Sequence, residues 1–193
     1  MTVEFQGWPK TVRFENLYLV AEEKIDGTNA AFHIEDGKVV GIQSRKRLIT
    51  PESDNFGFAR WVREREDVLV EALGDGLHFG EFWGSGIQRG YGLTNGERRF
   101  SLFNSARWSE AREHFESLSI GLSVVPTLHR GKVGSNGVNG FIEHALTLLS
   151  DNGSWASPGF DRPEGIIVNM LDFKSRFKVI PDGWDSDKSA TRG

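Results

Sequence analysis

The 193-residue sequence contains no cysteine. That absence removes disulfides, thiolate zinc sites and a cysteine nucleophile together, and it suits a reducing compartment, so a cytoplasmic setting is expected. No apolar run approaches the length of a membrane span, and Met1-Thr2-Val3-Glu4-Phe5-Gln6 lacks the basic and apolar regions of a signal peptide, so no membrane partner is expected. A Gly-x-x-x-x-Gly-Lys-Ser/Thr phosphate loop is missing, even from the glycine- and asparagine-rich stretch 131–140, which reads as a plain loop. There is no internal repeat and no proline- or serine-rich linker, so nothing divides the chain. Excess positive charge is absent as well. Asp and Glu number 27 against 23 Lys and Arg, a net charge of −4, which argues against a protein that holds nucleic acid by bulk electrostatics. What remains, 38% hydrophobic and 26% charged, describes one soluble globular domain with a sizeable core.

Short β-prone runs at 29–35 and 38–44 flank Asp36-Gly37, a two-residue hairpin signal. Phe56 to Leu73 carries apolar residues at helical spacing and stops at Gly74, so a single amphipathic helix is expected there. Strands are predicted at 77–83, 100–103, 164–169 and 174–180, with a short extended segment at Val124-Val125-Pro126. Further helices are predicted from a Ser109 cap through Leu118 and around 141–149. The fold class is α+β: antiparallel sheets flanked by helices, spanning 1–180, with a polar tail over 181–193. Arg60, Arg63 and Arg65 read as a solvated helix face.

Glu23-Lys24-Ile25-Asp26-Gly27-Thr28-Asn29 is the most informative segment. It follows the apolar run Leu17–Ala21 and sets a lysine beside an acidic pair. By itself Lys-x-Asp-Gly reads as a hairpin turn, because Asp-Gly is a favoured turn pair. The other reading is a nucleophile: a neutral lysine amine can attack phosphorus. Four later segments bear on the choice. Ser44-Arg45 ends the strand returning from the lysine. Phe79-Gly80-Glu81-Phe82-Trp83-Gly84 sets a carboxylate between two glycines, where a ligand can approach the backbone. Glu164-Gly165-Ile166-Ile167-Val168 repeats that design. In Lys174-Ser175-Arg176-Phe177-Lys178, the two-residue spacing of Arg176 and Lys178 aims both cations at one face of a strand.

Lys-x-Asp-Gly, Ser-Arg, aromatic-Gly-Glu, Glu-Gly-Ile-Ile-Val and basic-x-basic, in this order from Lys24 to Lys178, resemble the motifs of the covalent nucleotidyltransferases: DNA ligases, RNA ligases and mRNA capping enzymes. Glu23-Lys24-Ile25-Asp26-Gly27-Thr28-Asn29, Gly80 through Gln88, and Phe100-Ser101-Leu102-Phe103-Asn104 are most similar to the RNA ligase 2-type family of ATP-dependent RNA ligases. The resemblance implies that Lys24 takes AMP from ATP as a phosphoramidate, and that AMP then passes to a 5′-phosphate and is displaced by a 3′-hydroxyl. It implies Lys178 at the α-phosphate with Arg176 beside it, and Glu81 at the ribose. Phe103 would stack on adenine, and Glu23 would lie at the nucleotide. Arg45 and Asn29 would lie at the RNA end, with Arg45 also near the nucleotide. Glu164 would lie near the phosphates as a ligand of Mg²⁺ or Mn²⁺, directly or through water. The implied partners are RNA ends or a nicked duplex, as in RNA repair. Asp26 either shapes the bend or joins the site.

The sequence departs from that family at three positions. Asn104 stands where an aspartate is usual, Asn169 where a lysine is usual, and Arg176 where a lysine is usual. The sequence ends soon after Lys178, with no appended C-terminal domain of the kind that grips nucleic acid in related ligases. Self-adenylylation is therefore expected to survive, with sealing slow, confined to particular ends, or aided by a helper protein or domain. A minimal DNA nick ligase and a non-catalytic module that binds nucleotide or RNA ends are the competing readings. A guanylyltransferase fits less well.

Overall fold

The computed structural model describes residues 3–8, 10, 11 and 13–184. Numbered along the chain, β7 (Thr127–Lys132), β1 (Tyr18–Lys24), β8 (Gly165–Met170) and β9 (Ser175–Val179) form one antiparallel sheet in that order. The second sheet runs β3 (Lys38–Ser44), β2 (Thr28–Glu35), β4 (Gly76–Gly84), β5 (Arg98–Leu102) and β6 (Leu122–Val124), with only the last pair parallel. Helices lie behind each sheet, so the expected α+β architecture is the observed one. From residue 185 onward, the polar tail expected over 181–193 lies outside the described residues.

Alternation along β1 explains how one strand serves both a core and a cleft. Leu19 and Ala21 point to the back of the first sheet. There they pack with Ile166 and Val168 of β8 and with Phe141, Ala145 and Leu149. Those last three form an i, i+4, i+8 stripe on α4 (Gly137–Asn152). Behind the second sheet, Phe32, Phe82 and Phe100 meet Phe58, Trp61, Val62 and Leu69, a cluster of tilted and stacked rings. A smaller core of Ile25, Trp83, Tyr91 and Val125 joins the two halves. The front faces of both sheets are left to line a broad cleft.

Several local expectations are corrected. The helix expected over 56–73 is two helices, α1 (Phe58–Arg63) and α2 (Glu66–Leu73). A continuous helix would give the Trp61 carbonyl to the residue 65 N–H. Instead the Arg65 guanidinium takes it at 3.2 Å, and the Arg65 N–H turns to Val62 O. Arg65 also donates to Ile120 O, and Arg63 to Val39 O, so two of the three arginines assigned to solvent staple the backbone. The α1 entrance is held by Asp54, whose carboxylate accepts from the N–H groups of Ala59 and Arg60. Ser109 caps no helix. Its hydroxyl is spent on Ala106 O, and α3 spans Arg112–Ser117. The loop expected over 131–140 shrinks to 133–136, because pairing of Gly131 with Leu19 and the apolar stripe of α4 override local glycine and asparagine preferences.

Asp36-Gly37 is the expected hairpin turn, with φ of 49° and 70°. Asp26-Gly27 is not a hairpin. β1 ends at Lys24 in the first sheet and β2 begins at Thr28 in the second, so residues 25–27 carry the chain from one sheet to the other. Gly27 is required there by space: a Cβ would lie 2.4 Å from Phe82 O and 2.9 Å from Trp83 Cβ. Gly27→Ala is therefore expected to destabilise the fold by about 2 kcal/mol, read as a lowered midpoint in urea unfolding with an unchanged slope.

Candidate active site

Lys24 closes the central strand of its sheet, paired on one side with Gly165 at the start of β8. Its Nζ donates to Glu164 Oε2, and Glu164 is fully buried. Gly165 has φ of 152°, and a Cβ there would meet Val179 O at 2.3 Å. The Glu-Gly pair thus lets β9 close over β8 while Glu164 reaches the lysine.

Across the cleft, Glu81 stands opposite Asn29 in the register of β4 and β2. Its two oxygens accept from Asn29 Nδ2 and, at 3.2 Å, from the Gly27 N–H. Burial pushes the Glu81 carboxyl up to about 7, and the charge of Glu164 adds to that. The Asn29 and Gly27 hydrogen bonds and the Lys24 charge oppose it. The crossing segment between these carboxylates is pinned from behind. The Tyr91 hydroxyl accepts from the Asp26 N–H at 2.9 Å and donates to Lys24 O at 3.4 Å. Arg89 pairs with Asp26 at 3.2 Å and also donates to the carbonyls of Arg162, Pro163 and Trp184. One buried guanidinium therefore fixes both the turn after Lys24 and the segment that delivers Glu164. Asp26 belongs to this scaffold as an ion-pair partner.

The cations lie on the rim. Arg176 and Lys178 are exposed on edge strand β9, opposite Asn169 and Ile167, and so share the cleft face with Glu22 and Lys24. Arg45 follows β3 at the opposite wall. Arg45, Arg176 and Lys178 all line the cleft and make no salt bridge among the described residues. Phe103, just past β5, is half-buried on the same wall as Glu81. The cleft has a volume of about 1880 Å³. Lys24, Asn29, Arg45, Glu81, Phe103, Arg176 and Lys178 thus converge on one space, with Glu164 beneath Lys24.

Glu23 behaves differently from its neighbours. Its carboxylate accepts from Ser154 Oγ at 2.6 Å and from the N–H groups of Trp155 and Ala156 at 2.8 Å each. Burial pushes its carboxyl upward against those three bonds. It holds the segment that presents Trp155 to the cleft. Glu22, not singled out in the sequence, lies on the cleft face two residues before Lys24. It accepts from Ser105 Oγ and, at 2.9 Å, from Asn169 Nδ2. Its period-two spacing from Lys24 was the available signal. Arg89 and Tyr91 gave none, since they meet Asp26 from more than sixty positions away. Of the positions where the sequence departs from the resemblance, Asn104 adopts φ of 60°, which asparagine tolerates well, and Asn169 carries the amide that holds Glu22.

Among the described residues, no group of three or more His, Asp or Glu side chains forms a metal cage. Glu164 is a single buried carboxylate in contact with Lys24, which lines the cleft, and one such carboxylate fits a magnesium-type ion held mainly by water and substrate phosphates. No helix of the described residues is long and apolar enough to cross a membrane.

Comparison with known proteins bears on this site. A profile of the family described as RNA ligase matches residues 17–180. No curated protein matches the chain. Three similar solved structures are forms of a Naegleria gruberi RNA ligase. A variant without ligand has a TM-score of 0.65 and 18% identity, covering 90% of this chain and 53% of that one. The form with PPi scores 0.64 at 17% identity, covering 91% and 53%. A lysine-to-alanine variant with ATP and Mn scores 0.64 at 18% identity, covering 91% and 52%. The chain spans about half the length of these ligases.

Glu81 makes the site sensitive to pH. Its proton is bound more tightly in the fold than in the open chain. Its contribution to stability is therefore complete below its ordinary value of 4.5 and is lost as pH climbs through about 7. Glu81→Gln is expected to gain melting temperature over wild type progressively from pH 5 to pH 8. A gain independent of pH would show that burial of the charge is not its cause.

Proposed function

The chain belongs to the RNA ligase family, and from that premise we propose that it is an ATP-dependent RNA ligase that works through a lysyl-AMP intermediate. Residues 1–180 act as the nucleotidyltransferase domain. The observation that carries the proposal is the contact of the Lys24 amine with buried Glu164 at the floor of a cleft whose rim holds Arg45, Arg176 and Lys178. A nucleophile, a carboxylate that touches it and three uncommitted cations make up the machinery that nucleotidyl transfer needs.

Lys24 attacks the α-phosphorus of ATP, an N–P bond forms, and pyrophosphate leaves with the bonding electrons. The amine must shed a proton first, and Glu164 is the carboxylate that touches it. Lys178 and Arg176 take up charge developing on the phosphate oxygens. A bound Mg²⁺ or Mn²⁺, with Glu164 as its carboxylate directly or through water, would supply further neutralisation of the phosphates. Glu81 receives the ribose hydroxyls, and near neutral pH its raised carboxyl can donate as well as accept. Phe103 stacks on the adenine. AMP then passes to a 5′-phosphate, and a 3′-hydroxyl displaces it to close the phosphodiester, with Asn29 and Arg45 at the RNA end.

Two features support this assignment of residues. In the Naegleria gruberi ligase, variants replace a lysine, an aspartate two positions later and a glutamate 57 positions after the lysine. Asp26 and Glu81 stand at the same intervals from Lys24. Variants of that ligase have also been solved with ATP and Mn or with AMP and Mn.

Incubation with ATP and Mg²⁺ is expected to add the mass of one AMP to the intact protein. Lys24→Ala should abolish the adduct, and Lys178→Ala should slow it on the order of a hundredfold. An adduct that persists in folded Lys24→Ala would exclude this mechanism.

A further inference from the structure

The cleft is larger than one nucleotide requires. Pockets that enclose small ligands hold about 300–1,000 Å³, against about 1880 Å³ here. The unassigned part of its second-sheet wall begins at Phe79. This residue lies two positions before Glu81 on β4, on the same face and about 7 Å along the strand. It is 49% exposed, and Leu77, two positions further along the same face, is 42% exposed. Scattered exposed apolar residues on a convex surface need no explanation. These two line a concave, cation-rimmed cleft instead.

The surroundings suit a flat ring. Across the sheet, Phe79 faces the small, buried side chain of Ala31, and Gln43 follows on β3. On the other side, the Phe103 N–H donates to Phe79 O at 2.9 Å, so the two aromatic residues are cross-strand neighbours on one wall. No ring contact joins them, so the Phe79 face is not used by Phe103. Arg45 lines the same wall and can take a phosphate beside a stacked base.

We propose that Phe79 is the stacking platform for the first base of the RNA strand whose 5′-phosphate accepts AMP. The proposal rests on the ligase reading above. That nucleotide is joined to AMP through two phosphates once AMP has moved. Its base must therefore lie within about one nucleotide of the ribose at Glu81, and Phe79, two positions along the same strand face, is an exposed aromatic within that reach. Stacking on phenylalanine is open to every base, which suits an enzyme that seals broken ends of any sequence. Leu77 extends the apolar strip beyond the ring.

The decisive probe is a 5′-phosphorylated RNA with 2-aminopurine at its first position, titrated with the whole protein. Wild type and Phe79→Trp are expected to quench its fluorescence, and Phe79→Leu, which keeps bulk without an aromatic face, is expected not to. In AMP transfer to ordinary RNA, Phe79→Leu and Phe79→Ala should raise KM for the strand about tenfold. Lysyl-AMP formation from ATP alone should be unchanged. With an abasic first position, wild type and variants should become equal. Quenching by Phe79→Leu equal to wild type, or an equal defect with abasic RNA, would overturn the proposal. Because the fluorescence readout needs no chemistry, absence of any lysyl-AMP in wild type would count against the ligase reading and leave this one to be judged separately.

Discussion

Three residues carry the chain from one sheet to the other, and the site depends on how tightly they are held. Ile25, Asp26 and Gly27 must leave a central strand, cross a cleft and enter a second sheet without a turn of their own. Each is fixed by a different means. Ile25 is buried in the small joining core, Asp26 is paired with Arg89 and bonded to Tyr91, and Gly27 is closed in by Phe82 and Glu81. Because Lys24 directly precedes this crossing, the same constraints that join the sheets also aim its amine. Stability and chemistry share these three residues.

Charge follows the same division of labour. The acids of the site are buried or bonded: Glu164 to Lys24, Glu81 to Asn29 and Gly27, and Glu23 to the 154–156 segment. The rim cations are exposed and uncommitted. An anion entering the cleft would therefore meet exposed positive charge, while the carboxylates that line or underlie it are engaged by donors. An overall charge of −4 is thus compatible with the proposed polyanionic substrates, because the excess acid is elsewhere or engaged.

Much of this was legible in the sequence where a local pattern had a local cause. The period-two spacing of Arg176 and Lys178 and the Asp36-Gly37 turn read correctly because strand alternation and turn geometry are short-range properties. The glycines beside Glu81 and Glu164 did not leave the room for a ligand that was expected of them: Gly80 is closed in by Ser101 O and the Phe100 ring, and Gly165 by Val179 O. The errors share the opposite origin. The long helix broke because the Arg65 side chain took a carbonyl, and Asp26-Gly27 bridged two sheets because Phe82 and Glu81 closed around it. Arg89 was invisible as a site residue, since its value lies in contacts with positions 26, 162, 163 and 184. Long-range pairing decides such features, and one sequence does not display it.

The triplet Glu22-Glu23-Lys24 also carries information as phase. On one strand, its members point front, back and front, and each direction has its own partners: Ser105 and Asn169, then Ser154 to Ala156, then Glu164. Both flanking strands lock this phase, with one irregularity between Ala21 and Glu22 against β7 already absorbed. A single residue inserted or deleted upstream within β1 would invert it, sending the lysine into an apolar interior and a carboxylate into the cleft. For this strand, then, reading frame has a spatial counterpart: substitutions degrade the site by degrees, whereas a one-residue length change turns it inside out.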